Sequence, residues 1–246
     1  MSALEHFWNA WASAQSQLIL VVCGSAASWM ISQLINNKGG LHNRVTRRIH
    51  LLPFSLGETE AYFTARSIPL DRYQIVQLYM VMGGIPFYLE QIQTGRSAFQ
   101  EIDRLCFTEG GLLRDEFMNL YRSLFDHPDK HLSIIEALTK KNKGLTREEL
   151  IAEAGLSNGG NTTRTIAELL ESGFITGTLA FGKKTKTTIY RLTDPYSLFY
   201  LKFVRDTRAA GTGTWMSRLD NPSWRAWSGY AYEKLKLLPA KPSSWR

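Results

Sequence analysis

The chain has 246 residues, of which 44% are hydrophobic, 21% charged and 12% aromatic. That composition excludes wholesale disorder and allows one large domain or two to three small ones. The formal net charge of +7 points to polyanions or acidic protein surfaces as partners, with a bland basic surface as the plain alternative.

Cys23 and Cys106 stand in no CxxC pair, so metal and thiol redox chemistry are not indicated, and a reducing, cytoplasmic setting is the simplest reading. Glu5 and the lack of a basic region near the start argue against a signal peptide. The longest apolar run falls well short of the roughly 18 residues of a membrane span, so no membrane partner is expected.

In chain order, Leu4, Phe7, Trp8 and Trp11 lie at helical spacing and predict an amphipathic helix over Ala3 to Ala14. Leu18 to Cys23 is a short, continuous apolar run and reads as a buried strand of a parallel sheet. Gly24-Ser25 follows, and Ala26 to Ile35 is again helix-like. Helix, buried strand and a polar residue at the strand's end form the pattern of an α/β nucleotide-binding sheet. Asn36 to Gly40 is a turn, and Arg44 to Leu52 is basic and partly β-like. Ser55 with Glu58 three residues on predicts a capping box.

Asp71 to Phe125 is mostly helical, broken at Gly83-Gly84-Ile85-Pro86 and Gly110-Gly111, which predicts a small helical bundle. Asp126-His127-Pro128-Asp129 marks a boundary. Beyond it, Ile134, Ile135 and Leu138 share one helix, Thr146 caps a second, and Asn161 opens a third that Gly173 ends. Phe174 to Thr176 and Thr187 to Arg191 read as two strands flanking Gly182-Lys183-Lys184. Three helices and a hairpin follow the winged-helix order, with the second and third helices as a helix-turn-helix. The tail from Tyr196 is aromatic-rich, and its tryptophans are expected to bury against the winged helix or against a further domain.

Several segments match in order: Leu20-Val21-Val22-Cys23-Gly24-Ser25-Ala26-Ala27-Ser28-Trp29-Met30, Gly39-Gly40-Leu41-His42-Asn43-Arg44, and Leu52-Pro53-Phe54-Ser55-Leu56-Gly57-Glu58-Thr59-Glu60. Met82-Gly83-Gly84-Ile85-Pro86-Phe87-Tyr88-Leu89, Gly155-Leu156-Ser157-Asn158-Gly159-Gly160-Asn161 and Tyr190-Arg191-Leu192-Thr193-Asp194-Pro195-Tyr196 continue the series. Over Leu4 to Glu233 the chain resembles the prokaryotic and archaeal-type ATPases, AAA+/STAND-related P-loop proteins with a helical lid, a winged helix and a nuclease-like C-terminal domain.

The resemblance implies an α/β plus mostly α fold. A partial P-loop NTPase parallel sheet would occupy residues 1–66, a helical lid bundle 67–128, and a winged-helix domain 129–195. The start of a truncated nuclease-like region would occupy 196–246, because the match stops after Glu233.

In that family the Walker A and Walker B motifs precede the strand corresponding to Leu18–Cys23. Neither occurs in this sequence. The nearest approach, Gly177 to Lys184, carries Lys where Ser or Thr must bind magnesium, and it falls between two strands. The intact family binds ATP and Mg. This chain is expected to bind neither alone and to hydrolyse no ATP, as an internal fragment or the product of a broken reading frame.

The resemblance also assigns candidate residues. Ser25 takes the sensor position, where a hydroxyl orients the attacking water or bonds the γ-phosphate; a small residue for a tight turn is the competing reading. Arg44, ahead of Arg47 and Arg48, matches an arginine suited to neutralising a transferred phosphoryl group. It could also serve an intact ATPase subunit in trans, or be a surface arginine. Gly84 and Pro86 match a lid turn in which the proline packs on adenine, with a helix break as the structural alternative.

Asn161, Thr162, Thr163 and Arg164 open the recognition helix, where short polar side chains can reach base edges of double-stranded DNA. Lys183, Lys184 and Lys186 on the wing would meet phosphates. The competing reading is a winged helix that packs only on protein. The five histidines are scattered and support neither a metal site nor a Ser-His-Asp order. If the sheet is incomplete, exposed strand edges predict poor solubility.

Overall fold

The computed structural model describes residues 2–24, 44–179, 188–208, 211–219 and 221–237. Helix α1, Ser2–Ala10, runs into a short 3-10 turn, Ala12–Ala14. Phe7 and Trp11 meet along it at 5.6 Å.

The expected strand at Leu18–Cys23 is not formed. The segment has no strand partner among the described residues, and Ile19 and Val21 are 86% and 79% exposed. Arg44 to Pro53 is likewise exposed and outside any strand. A buried parallel strand needs hydrogen-bonded neighbours and helices over both faces. Among the described residues the sheet is three-stranded and antiparallel, and it lies far along the chain. Ser25 and the helix-like run Ala26–Ile35 lie outside the described residues.

The hydrophobic core begins at Phe54. Helix α2, Leu56–Ala65, opens with the expected capping box: the Ser55 N–H donates to Glu58 Oε2 at 2.7 Å. Asp71 caps α3, Arg72–Met82, by accepting the Gln74 N–H at 2.8 Å. One turn, α4 (Pro86–Leu89), precedes α5 (Ala98–Cys106) and α6 (Leu112–Leu124). In α5 the buried residues Ala98, Ile102, Leu105 and Cys106 recur at helical spacing, which turns one face inward.

The turn at Gly83-Gly84 is where this bundle closes. Gly83 has φ +64°, in the left-handed region. A Cβ on Gly84 would stand 1.9 Å from the Phe54 carbonyl oxygen. The Phe54 N–H donates to the Gly84 carbonyl at 2.7 Å, and the Tyr79 hydroxyl donates to the Phe54 carbonyl at 2.6 Å. The missing side chain therefore makes room for the chain entering α2.

Residues 129–192 contain, in order, α7 (Asp129–Lys140), β1 (Leu145–Thr146), α8 (Arg147–Glu153), α9 (Gly160–Glu171), β2 (Ile175–Leu179) and β3 (Thr188–Leu192). Strand β3 is central, with β1 and β2 antiparallel on either side. Leu145 pairs with Tyr190, and β2 pairs from Ile175↔Leu192 to Leu179↔Thr188. The two-residue β1 carries no sequence signal of its own.

Helix α10, Pro195–Phe199, is capped by Asp194, which accepts the Ser197 N–H at 2.7 Å. It continues as a π turn, Tyr200–Val204, closed by the Arg205 N–H donating to Tyr200 O. Arg114 and Arg218 close the far end. Arg114 donates to the Thr207 carbonyl at 2.9 Å, and Arg218 donates to the Phe203 carbonyl at 3.2 Å. Cations at the carbonyl end of a helix are favourable there.

Helix α11 spans Pro222–Leu237. Trp215 and Trp227 are buried, against the bundle and α10, and Trp224 is partly buried. Trp215 stacks on Phe107 at 5.9 Å and meets Phe199 edge-on at 4.9 Å, and Trp227 meets Phe199 at 5.3 Å. Asp103 fixes the approach of this segment by accepting the Trp215 N–H at 2.6 Å and the Gly213 N–H at 3.1 Å.

Candidate functional site

Surface features that could meet a ligand concentrate at the start of α9. Its N-cap is Gly159, which has no side chain to offer the first turn. The first N–H groups of a helix have no intrahelical acceptor, and no side chain caps them here. Asn161, Thr163 and Arg164 are exposed around this end.

Thr162 departs from the expectation placed on it. It is 3% exposed, and its hydroxyl donates to the Ser157 carbonyl at 2.7 Å. The reason is periodicity: Thr162, Thr165, Ile166 and Leu169 form the buried stripe of α9. Thr162 thus fixes the turn between α8 and α9 and does not face outward.

Arg147, half-buried at the first position of α8, reaches this end of α9. Its Nη2 donates to Thr163 Oγ1 at 2.9 Å and to Asn158 Oδ1 at 3.2 Å. No carboxylate lies within ion-pair distance of it among the described residues. Its neighbour Glu149 is committed to the Thr146 cap, and the backbone hydrogen bond from Thr146 holds its carboxyl below the ordinary range. No local sequence pattern marks this contact, because the partner Thr163 lies in the next helix.

The sheet orients these groups. Thr146 pairs with Ile189, so the start of α8 lies toward the Leu179–Thr188 end of the hairpin. That end leads into residues 180–187, and Lys183, Lys184 and Lys186 lie outside the described residues. Arg191, on β3, donates to Thr178 Oγ1 at 2.7 Å. Lys140, Lys141, Lys143, Glu149 and Glu153 line a shallow groove of about 710 Å³. Its charges are mixed, and Lys140 already pairs with Glu153 at 3.4 Å.

The nucleotide-directed candidates do not converge among the described residues. Arg44 is exposed on the segment before the core. Gly84 faces the Phe54 backbone, so the close approach it permits is already taken. Pro86 is exposed at the first position of α4, beside the half-exposed Phe87. Among the described residues no group of three or more His, Cys, Asp or Glu could hold a metal ion. No helix among them is long and apolar enough to cross a membrane.

No family model matches the chain, and no solved structure matches it. It is similar to an uncharacterized protein of Methanocaldococcus jannaschii, with 22% identity over 219 residues. The match covers 88% of this chain and 48% of that protein, so the chain spans about half the length of the curated relative it matches.

Proposed function

We propose that residues 129–192 are a winged-helix module that binds double-stranded DNA through the start of α9 and the β2–β3 hairpin. The order of elements and the β1-β3-β2 sheet are those of a helix-turn-helix with a wing, in which the last helix enters the major groove. One observation carries the reading. An uncapped helix N-terminus, two exposed polar side chains and two arginines stand side by side at the hairpin end of the sheet. Helix N-termini and guanidinium groups both favour phosphate.

The test is a titration of a short labelled duplex over a salt series. Neutralising Lys183, Lys184 and Lys186 together removes up to three phosphate-binding charges, so the slope of log K against log salt should shrink by about 0.9 for each phosphate released. Wild-type affinity that is independent of salt, or a triple variant indistinguishable from wild type, would refute the assignment.

A second reading is favoured by the exposed apolar residues Ile19, Val21, Ile49 and Leu51. Such a surface suits strands that complete a larger sheet. On this reading the chain is the C-terminal part of an ATPase of the resembling type, with Ser25 and Arg44 facing ATP and Mg held mainly by other polypeptide, or with Arg44 serving an intact subunit. A fluorescent ATP analogue in the same titration should then stay unbound. Binding by this chain alone would contradict that division of the site.

A further inference from the structure

Arg164 is the most exposed cation at the start of α9, yet it is already paired. Its Nε donates to Glu168 Oε1 at 2.8 Å, one helical turn along the same face. The two side chains differ sharply in freedom: Arg164 is 77% exposed and Glu168 17%. Glu168 is held from behind. Its Oε2 lies 2.9 Å from His131 Nε2, and the His131 ring is buried and stacks on Phe125 at 3.8 Å. On the ring's other side Nδ1 faces the His127 carbonyl at 3.3 Å.

The carboxylate is thus anchored across α9 and α7 and cannot follow Arg164 outward. An exposed arginine can swing to a phosphate only by leaving it. Exposed i,i+4 pairs are weak, so the exchange is accessible.

We propose that Glu168 is a built-in counter-charge on the DNA-binding face, holding Arg164 closed until a backbone phosphate displaces it. The proposal rests on the duplex-binding reading above and deepens it. Glu168 sets the affinity through Arg164, and His131 is the positioning residue that keeps the carboxylate in place.

The test compares wild type, Glu168→Gln, Arg164→Ala and the double variant on one labelled duplex between about 50 and 200 mM salt. Glu168→Gln preserves shape, and a melting curve for each variant checks folding independently. Glu168→Gln should tighten binding roughly threefold, the scale of an exposed ion pair. The salt slope should change little, since Arg164 meets the same phosphate in both proteins. Arg164→Ala should weaken binding, and the double variant should fall back to the Arg164→Ala value.

Wild type that binds while folded Glu168→Gln is unchanged would overturn the counter-charge and leave the DNA reading standing. The same gain in the Arg164→Ala background would also overturn it, since the effect would then be general repulsion. Binding by Glu168→Gln alone, abolished again in the double variant, would support a stronger form of the counter-charge. No binding by any variant at low salt would overturn both readings.

Discussion

Gly84→Ala is expected to lower the unfolding free energy by about 3 kcal/mol, combining overpacking with loss of the hydrogen bonds that seat Phe54. For a chain of this size that corresponds to a fall in melting temperature of about 10 °C. The new Cβ would stand 1.9 Å from the Phe54 carbonyl oxygen and 2.7 Å from both Phe54 C and Phe54 N. These are backbone atoms, so no rotamer change relieves the clash. The segment is pinned by its bond to Gly84 O and by the Tyr79 hydroxyl. Thermal melting followed by circular dichroism checks this. A change under about 0.5 kcal/mol, the range of a neutral surface substitution, would show that Phe54 is not seated on Gly84 in solution. It would also return that glycine to consideration as a nucleotide contact.

Trp215→Ala should cost about 4 kcal/mol, at the upper end of large-to-small core changes. Trp215 is fully buried among Phe107, Phe199, Phe203 and Trp227. The truncation would leave a cavity where helices α5, α10 and α11 converge, and partial collapse rarely restores the missing dispersion attraction. Urea unfolding should show a lower midpoint with the slope unchanged. If instead the tail melted separately and the bundle kept its midpoint, residues 211–237 would be an independent unit and not part of this core.

Local rules made parts of this fold legible. The capping boxes at Ser55 and Thr146 are closed by residues three apart, so sequence spacing suffices to find them. The breaks at Gly83-Gly84 and Gly110-Gly111 were legible for the same reason. Leu18 to Val22 shows the limit: an apolar run says what a segment avoids, not what covers it, and the described residues supply no cover. The π turn and α11 hide because their aromatic residues serve a core shared by distant segments, as Trp215 does through Asp103.

At the candidate site, helix order and the exposed Asn161, Thr163 and Arg164 were readable from the sequence. Thr162 was misassigned because its polarity outweighed its place on the buried stripe, which Thr165, Ile166 and Leu169 complete. Arg147, Glu168 and His131 were not singled out for function. Their roles come from contacts between helices, Arg147 to Thr163 and His131 to Glu168, which no local pattern encodes.

Amide hydrogen exchange at α9, with and without duplex, addresses the DNA-binding reading at single residues. The N–H groups of Gly160, Asn161 and Thr162 head an uncapped helix and should exchange rapidly in the free protein. Duplex binding is expected to slow them together with the start of α8 at Arg147, while the buried bundle around Phe107 and Trp215 stays unchanged. Protection elsewhere on the chain with none at Gly160 to Thr162, or no protection at saturating duplex, would contradict a DNA-binding winged helix.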